Sequence, residues 1–595
     1  MGQTERSHGV KRWSLVACVS ALALLLLLPL AAVAKPKPAT TVYRNGYVWT
    51  VDNKRPRAQA VAVRGAKIVF VGSNKAAKAF IGKKTKVVNL KGRMMMPGLI
   101  DSHQHPIEGG ASLIGYNLNG VQRTIPELQT VLQGWLDASH DQEPDGWLDV
   151  EGYKGALPRG TNLVKADLDA LDTERPIAIR NWDHHSIWVN TRGLEVCEID
   201  ADTPTPDGGY IEKDVEGNPT GYFADAAMRL VTDQIPAVDP ESPEETAQRT
   251  VHALNEVGIT GVMDAISNWN LDTWAEELKQ GRLNIRVACA VMLDQEQAAS
   301  DPDGMIADLN DLRDKYDVPN RLVVSQGKVI LDGVPDFPAQ NGWMLEPYLE
   351  EDEDGNWVPG TNLGNGAPFW EPKLLKDTVV KMNTAGWPVH IHALGDASVR
   401  WSLDCFEAAQ EAGASKDLRN GICHLEPIKR SDIWRFGQLN VVACVQPQWH
   451  QWDTSSFDAA KDYLGEERMN NIYPIRSFEI AGAPISFGSD WPVDPLMPWY
   501  GIERAVTRTA EPWYGYDDMG PLNPWESITL KNAIRHYTLG SAYQIAMDTK
   551  VGSITKGKFA DMIVLKKNIF KIPITEVDQT EVVMTVFNGK VVYKK

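Results

Sequence analysis

The middle of the chain, residues 94–549, alternates short apolar runs with helix-like segments. This pattern is typical of a parallel α/β architecture, in which each helix returns the chain to the same end of the sheet. Eight apolar runs can be assigned as strands, which is the number that a (β/α)8 TIM-like barrel needs. The predicted strands end near His103, Asp264, Leu293, Lys328, His392, His424, Gln446 and Asp490.

Both flanks of this region have a different pattern. Residues 35–93 and 550–595 alternate short β-prone runs with turns. Neither flank holds enough apolar surface to form a core alone, so we expect the two to pair into one small β-sandwich. The stretch 125–245 also breaks the barrel pattern, with turn signals and a β-like run of its own. We expect it to be an insertion after the first barrel strand that caps the barrel mouth.

Residues 1–34 have the pattern of a secretory signal peptide. Lys11 and Arg12 precede an apolar run, and Ala32-Val33-Ala34 supplies a cleavage site with small residues. An uncleaved anchor is the rival interpretation, because the run approaches the length that spans a membrane. Cleavage would make the protein exported, either periplasmic or extracellular.

The charge of the chain excludes some partners. Removing residues 1–34, which hold three basic side chains and one acidic side chain, changes the formal net charge from -18 to -20. So acidic a chain gives no electrostatic reason to bind nucleic acid or, after cleavage, an anionic membrane surface. Five cysteines would remain, and no CxxC pattern is present, so a thiolate zinc site is not expected.

Several strand ends carry residues that could bind a metal ion. His103 and His105 lie two positions apart, so both can point to the same side of one strand. One His-x-His motif is weak evidence, but it recurs at His390 and His392, with His424 and Asp490 at later strand ends. A lysine, Lys328, stands inside another apolar run. Its role is open from the residues alone, between a functional group and an ion pair with Asp332.

These residues lie in motifs that resemble the amidohydrolase superfamily, specifically its family 3, the YtcJ-like branch. The resemblance covers nearly all of the chain after residue 34. It is carried by PGLIDSHQHP (97–106), KVILDG (328–333), VHIHALGD (389–396), HLEPI (424–428), VQPQWH (445–450), GSDWPV (488–493), GSITKGKFADMIVL (552–565) and FNGKVVY (587–593). One departure is Cys423, which stands directly before His424 where the family pattern leads us to expect a glutamate.

The resemblance implies a centre of one or two divalent ions, with Zn²⁺ expected from the nitrogen-rich ligands. His103, His105 and Asp490 would hold the more buried ion, and His392 and His424 the other. Lys328 would bridge two ions if its amine is carboxylated. His390 ranks below His392 as a ligand, because the resemblance places the metal on the latter.

The chemistry that follows is hydrolysis by metal-activated water. We expect attack on a carbon–nitrogen bond of an amide, an N-acyl or N-formyl amine or a cyclic amide, with Asp490 transferring the proton. His185 and His450 are candidates for contacts to the substrate, with packed loop histidines as the alternative. An aromatic pocket for a small-molecule substrate is predicted from Trp182, Trp449 and Trp491.

Two other functions remain open at this stage. A metal-dependent isomerase or lyase could use the same barrel, because a fold does not fix a reaction. A periplasmic metal-containing binding protein is the second alternative, although a structural zinc site normally has four protein ligands and no open position. A homodimer is one possible assembly, which the sequence does not decide.

Overall fold

The computed structural model describes residues 36–118, 123–139, 145–153, 155–157, 163–181, 185–206, 209–236, 242–335, 340–360, 364–452, 457–510 and 519–595. The predicted signal peptide therefore lies outside the described residues. In the described ranges, no helix has both the length and the apolar character needed to cross a membrane.

The strands fall into two terminal sheets, a central eight-stranded sheet, the sheet of the insertion and two short pairs. In chain order they are β1 (Thr41–Arg44), β2 (Tyr47–Trp49), β3 (Arg57–Ala58), β4 (Ala60–Arg64), β5 (Lys67–Gly72), β6 (Lys86–Asn89), β7 (Met94–Pro97), β8 (Leu99–Gln104), β9 (Tyr116–Asn117), β10 (Arg123–Thr124), β11 (Leu148–Tyr153), β12 (Ala156–Leu157), β13 (Ile177–Asn181), β14 (Ser186–Val189), β15 (Gly209–Lys213), β16 (Pro219–Asp225), β17 (Ile259–Asp264), β18 (Arg286–Met292), β19 (Leu322–Ile330), β20 (Leu349–Glu351), β21 (Trp357–Pro359), β22 (Val389–Ala393), β23 (Gly421–His424), β24 (Val442–Val445), β25 (Ile485–Phe487), β26 (Met562–Leu565), β27 (Val582–Phe587) and β28 (Lys590–Lys594).

The helices lie mainly between successive strands of the central sheet. They are Asn74–Ala77, Pro106–Ser112, Ile125–Ser139, Lys165–Asp169, Thr191–Val196, Arg229–Thr232, Pro243–Val257, Leu271–Lys279, Gln295–Ser300, Pro302–Tyr316, Pro372–Thr384, Asp396–Glu411, Arg430–Leu439, Phe457–Met469, Ile475–Ala481, Pro498–Thr507, Leu530–Arg535 and Ser541–Gln544.

The central sheet is the barrel. Its order is β8-β17-β18-β19-β22-β23-β24-β25, and all neighbours in that order pair in parallel. The first and last strands meet through the Ser102 hydroxyl, which donates to Phe487 O over 2.7 Å, and the Asp490 amide, which donates to His103 O over 2.8 Å. The predicted fold class is therefore confirmed. Each of its eight strands ends within three residues of the position that the apolar runs indicated.

A glycine makes this meeting of the first and last strands possible. A Cβ at Gly488 would lie 2.7 Å from the Cβ of His103 and 2.8 Å from its backbone nitrogen. No side chain fits there, so the Gly-Ser-Asp motif needs a glycine to bring β25 against β8. The consequence is that His103 and Asp490, distant in sequence, start from adjacent backbone.

Local signals in the sequence fix the helix that precedes β17. Ser242 Oγ accepts from the amide of Glu245, and the Glu245 carboxylate accepts from the amide of Ser242, which is a capping box. Pro243 occupies the first turn. At the other end Gly258 takes a left-handed φ of 94° and terminates the helix. The strand then begins at Ile259.

The two ends of the chain form two packed sheets. One has the order β5-β4-β1-β6, and the other, β28-β27-β26-β7-β2-β3, joins strands from both ends. Within it, β7 and β26 pair antiparallel, with Met96 opposite Ile563. The core between the two sheets includes Tyr43, Val61 and Val586. The structure places Met94–Pro97 in this sandwich, so the barrel starts at Leu99.

The insertion forms a mixed sheet with the order β15-β16-β14-β13-β11-β9. It begins at Tyr116, earlier than residue 125, because β9 pairs in parallel with β11. The helix Ile125–Ser139 buries Leu128, Leu132 and Leu136 against one face of the sheet. A second cluster that includes Phe223 packs elsewhere in the insertion, so this unit has cores separate from that of the barrel.

Candidate metal centre

Three predicted ligands converge where β8 and β25 end. His103 lies on β8, His105 follows it, and Asp490 follows β25. His103 Nε2 lies 3.2 Å from Asp490 Oδ1, and His105 Nε2 lies 3.4 Å from the same oxygen. One ligand atom from each residue lies within 4.8 Å of the others, so the three could hold a single ion.

Two more predicted ligands lie beside this group. The rings of His392 on β22 and His424 on β23 are in edge contact, with centroids 4.4 Å apart. His424 Nδ1 lies 3.8 Å from Asp490 Oδ2 and 3.1 Å from Gln446 Oε1. When the Nδ1 proton is donated to Gln446, His424 keeps Nε2 free for a ligand role.

The backbone is strained at two of these ligands. His424 has a φ of 79°, its neighbour Leu425 one of 61°, and Asp490 one of 59°. Non-glycine residues in this left-handed region cost about 1–3 kcal/mol each, and they persist where the surrounding structure holds them. Such conformations concentrate at functional sites, and here they turn the chain sharply just where the side chains must point across the barrel.

Lys328 is fully buried, and it does not pair with Asp332. Its Nζ lies 3.7 Å from Cys423 Sγ. The Asp332 carboxylate instead accepts from the amides of Trp343 and Gly395, each over 2.9 Å. Burial raises the pKa of Asp332 to about 6, against the opposing effect of these amides. The ion pair with Asp332 that the sequence left open is therefore wrong, because loop and strand-end amides occupy that carboxylate.

The electrostatics favour neutral imidazoles, the form that binds metal. Burial, and then the charge of Lys328, lower the pKa of His103 to about 3. The same two causes hold the pKa of His392 well below its usual value. Burial lowers the pKa of His424 in the same direction, helped by His392. Burial alone would raise the pKa of Asp490, but the surrounding His103, His105 and His424 bring it well below its usual range.

Buried atoms in the cluster lack hydrogen bonds. Among the described residues, His392 Nε2 has no hydrogen-bond partner, and His103 Nε2 and Asp490 Oδ1 face each other over 3.2 Å without good hydrogen-bond geometry. An unsatisfied buried polar atom costs about 1–3 kcal/mol, so three in one place require an explanation. Nitrogen and carboxylate donors of this kind suit Zn²⁺ or a similar transition ion. The residues therefore fit a metal ion.

The two histidines predicted to contact substrate lie in different settings. His185, in the insertion, has Nδ1 2.8 Å from Asp225 Oδ1, and both side chains are about one-third exposed. His450 is fully buried and stacks on Tyr473 with centroids 4.7 Å apart. Its described contacts do not include the histidine–aspartate cluster.

The three tryptophans predicted to line the pocket are also separated. Trp449 stacks on His424 with ring centroids 5.5 Å apart, which places it beside the predicted ligands. The Trp491 ring packs tightly against Gly109 and belongs to the main hydrophobic core. Trp182 lies outside the described residues. Of the three, Trp449 is the one whose described position suits a pocket wall.

A comparison with protein families decides what kind of molecule this site belongs to. The model of the family described as "Amidohydrolase family" matches residues 86–593, which is most of the chain. The chain belongs to the amidohydrolase family. The match spans every barrel strand and, from β6 onward, the later half of the strands in the terminal sandwich. The predicted resemblance is thus confirmed, and the coarse class of chemistry is that of hydrolases acting on carbon–nitrogen bonds.

Similar proteins agree with this membership. Putative amidohydrolase YtcJ of Bacillus subtilis is 26% identical, over 93% of this amidohydrolase and 99% of that protein. N-substituted formamide deformylase of Arthrobacter pascens is 25% identical, over 93% and 98% of the two chains. The crystal structure of an uncharacterized metal-dependent hydrolase from Pyrococcus horikoshii has a TM-score of 0.65 at 22% identity, over 90% and 99% of the chains, and supports the fold.

Two residues beside the predicted ligands of this amidohydrolase have contacts that the sequence pattern did not predict. His390 Nε2 lies 2.7 Å from His103 Nδ1, and His390 Nδ1 lies 3.2 Å from Gln544 Nε2. His390 therefore orients a predicted ligand, a role that sharing a strand face with His392 could have indicated. Cys423 is the second residue. One ligand atom each from His103, Cys423 and His424 also lie within 4.8 Å of one another.

Proposed function

We propose that this protein is an exported, metal-dependent amidohydrolase that hydrolyses an N-acyl or N-formyl amine or a cyclic amide. The observation that carries the proposal is the buried cluster of histidines and Asp490 at the carboxyl ends of the barrel strands, with three unsatisfied donor or acceptor atoms. In barrels of this kind, catalysis occurs at that end. Family membership supports the reaction class, and the formamide deformylase supports the substrate class.

The ligands would be His103, His105 and Asp490, with His392 and His424 beside them. When bound there, a divalent ion supplies Lewis acidity and lowers the pKa of a water molecule toward 7. His390 and Gln446 hold His103 and His424 in fixed ring orientations through contacts of 2.7 and 3.1 Å. Such supporting contacts are typically worth 10–100-fold in metal affinity or activity.

Asp490 is the residue that we assign to proton transfer. Its carboxylate is ionised at neutral pH, because the surrounding histidines hold its pKa well below the usual range. It can therefore accept a proton from the attacking water and return it to the leaving nitrogen. General acid–base help of this kind contributes roughly 10²–10⁴-fold. The lowered pKa makes Asp490 a weak base, so the assignment rests on position: its two oxygens face His103, His105 and His424.

The substrate would enter between the cluster and the insertion. Trp449, stacked on His424, offers an aromatic wall for the acyl or amine substituent. His185, aligned by Asp225, can donate a hydrogen bond to the substrate carbonyl oxygen. His450 is fully buried, and neither of its ring nitrogens has a hydrogen-bond partner among the described residues, so its contact with substrate stays a prediction.

Export, partners and stoichiometry remain predictions. Residues 1–34 carry the signal-peptide pattern, and the acidic charge gives no basis for nucleic acid as a partner. Mass spectrometry of the native mature protein measures the number of bound ions, the state of Lys328 and whether the protein is a dimer. A carboxylated Lys328 adds one CO₂ and goes with two ions, whereas an unmodified lysine goes with one.

The test combines metal content with turnover. The mature protein should contain Zn²⁺ or a related ion, and it should cleave members of a panel of N-formyl, N-acyl and cyclic amides. A chelator should abolish turnover, and added Zn²⁺ should restore it. Labelled oxygen from solvent should appear in the carboxylic acid product. Turnover without solvent oxygen would instead assign an isomerase, and metal without any turnover a binding protein.

A further inference from the structure

Cys423 is a buried thiol in the middle of the proposed centre. It lies on β23 directly before His424, in the position where the family pattern led us to expect a glutamate. Its side chain is fully buried inside the barrel and lies between neighbouring strands, opposite His392 on one side and Cys444 on the other. A thiol at this place offers a soft sulfur donor to a metal ion.

The atoms around this thiol already suit a metal ion. Its Sγ and one nitrogen each from His103 and His424 lie within 4.8 Å of one another. His103 is completely buried, and in the described part of the chain its Nε2 faces only Asp490 Oδ1, at 3.2 Å and without good hydrogen-bond geometry. Two imidazoles and one sulfur at this spacing form three of the four positions that Zn²⁺ favours. The cluster is therefore more than an isolated cysteine.

The surroundings of Lys328 give a second, separate reason to expect a metal ligand at Cys423. Its Nζ lies 3.7 Å from Cys423 Sγ, and in the described part of the chain no carboxylate lies within salt-bridge distance of it. A buried ammonium needs a negative partner, because an unpaired charge in the interior is strongly disfavoured. A metal-bound sulfur at Cys423 would give Lys328 Nζ a negatively charged neighbour at 3.7 Å.

A second cysteine, Cys444, also lies near two histidines, His103 and His390. Its Sγ, however, lies 3.6 Å from Ser102 Oγ, and the two histidines contact each other at 2.7 Å. Both nitrogens in that contact are already engaged. Cys423 Sγ also has a protein contact, to Ile391 O at 3.4 Å, but its described contacts include a cation as well, Lys328 Nζ at 3.7 Å.

We propose that Cys423 is a thiolate ligand of the metal centre, acting with His103 and His424, and that the ammonium of Lys328 neutralises it. The inference rests on the proposed function, since it needs the centre to bind metal. Binding releases the thiol proton to solvent. The centre should then favour ions with affinity for sulfur, such as Zn²⁺ and Cd²⁺, over Mn²⁺.

The first experiment needs no substitution. X-ray absorption at the zinc edge of the Zn²⁺-loaded wild-type protein should show one sulfur at about 2.3 Å besides nitrogen or oxygen at about 2.0–2.2 Å. The Co²⁺-loaded protein should show a thiolate-to-metal charge-transfer band in the near ultraviolet. A metal shell without sulfur would overturn the inference and leave the proposed function intact.

Three variants assign the sulfur. Cys423→Ser should lose the charge-transfer band and bind Zn²⁺ at least about 10-fold more weakly. Cys289→Ser is the matched control, since Cys289 is also fully buried on a barrel strand but lies outside the ligand groups. It should keep both the band and the affinity. A band that survives Cys423→Ser and disappears in Cys444→Ser would overturn the assignment.

Different results would refute the proposed function and the inference about Cys423. A wild-type protein that binds no divalent ion would refute the proposed function and the inference together. Metal binding with turnover, but with a CO₂ adduct on Lys328 and no sulfur shell, would refute only the role of Cys423. If Cys423→Ser does not fold, the absorption spectrum of the wild-type protein still decides the question.

Discussion

The barrel mouth and the insertion both present histidine–aspartate pairs, but they hold them differently. The His103 and Asp490 side chains are 0% and 8% exposed, and they stand on strands of the central sheet. The His185 and Asp225 side chains are 33% and 35% exposed, and they belong to a sheet with its own core. A buried pair is rigid and strongly perturbed, whereas a pair that is one-third exposed is screened and adaptable.

This difference teaches where the two parts of a hydrolase site belong. The proposed metal ligands need fixed positions, and the barrel strands, together with the strained backbone at His424 and Asp490, would supply them. Substrate recognition tolerates change, and a separate unit such as the insertion can vary without disturbing the barrel core. We expect substitutions in the barrel to alter metal and rate, and those in the insertion to alter substrate preference.

The largest effect should come from His103→Ala. His103 takes part in every ligand group found in the described residues, so its loss should remove most bound metal and nearly all turnover. His252→Ala is the control, because His252 is exposed on the outer helix Pro243–Val257. Metal analysis and turnover measure both. Full metal content in His103→Ala would place the centre elsewhere.

Asp490→Asn should separate ligation from proton transfer. The amide keeps the size of the side chain but cannot accept a proton at neutral pH. Turnover should fall by roughly 10²-fold or more, with most of the metal retained. Stopped assays of turnover number and metal content on the same sample measure this. Near-native turnover would move the proton transfer to another group, and the contrast between barrel and insertion would weaken if His185 were that group.

His185→Ala tests the insertion side of the comparison. Removing its hydrogen-bond capacity should change KM or the preference between large and small amides by roughly 10-fold, with metal content unchanged. Thr191→Ala, a substitution elsewhere in the insertion, should leave both constants unchanged. Loss of metal in His185→Ala would show that the insertion is part of the metal site and would break the proposed division.

The smallest effect concerns the pH dependence of stability. Burial, and then the nearby Glu108, raise the pKa of Asp264 to about 7, so the folded state binds a proton that the unfolded state releases. Stability should therefore fall as pH rises from about 4 to about 7. Asp264→Asn should remove this loss. The thermal midpoint of the variant, compared with that of the wild type, should therefore be raised more at about pH 8 than at about pH 5.

The matched control for this effect lies in the insertion. Asp172→Asn changes an exposed carboxylate and should shift the midpoint equally at both pH values. An equal shift at both pH values for Asp264→Asn would contradict the effect of burial at the barrel mouth.

The sequence predicted most of the barrel because its signals are local. Apolar runs end at residues such as Lys328 and His424, and period-two spacing places His103 and His105 on one face. The sequence could not show that Lys328 contacts Cys423 rather than Asp332. That contact depends on the distances from the Lys328 amine to β23 and to the loop after β19. The contact between His103 and His390 likewise depends on inter-strand register across the barrel.

The sandwich shared by both chain ends has a consequence for biosynthesis. β7 cannot pair with β26 until Met562–Leu565 has left the ribosome, so the sheet that supports the first barrel strand is completed last. Until then the edge of β7 and its three methionines, Met94–Met96, are exposed to other chains. A nascent chain of this topology is a ready client for holding chaperones, and a truncation in the last three strands would make that dependence permanent.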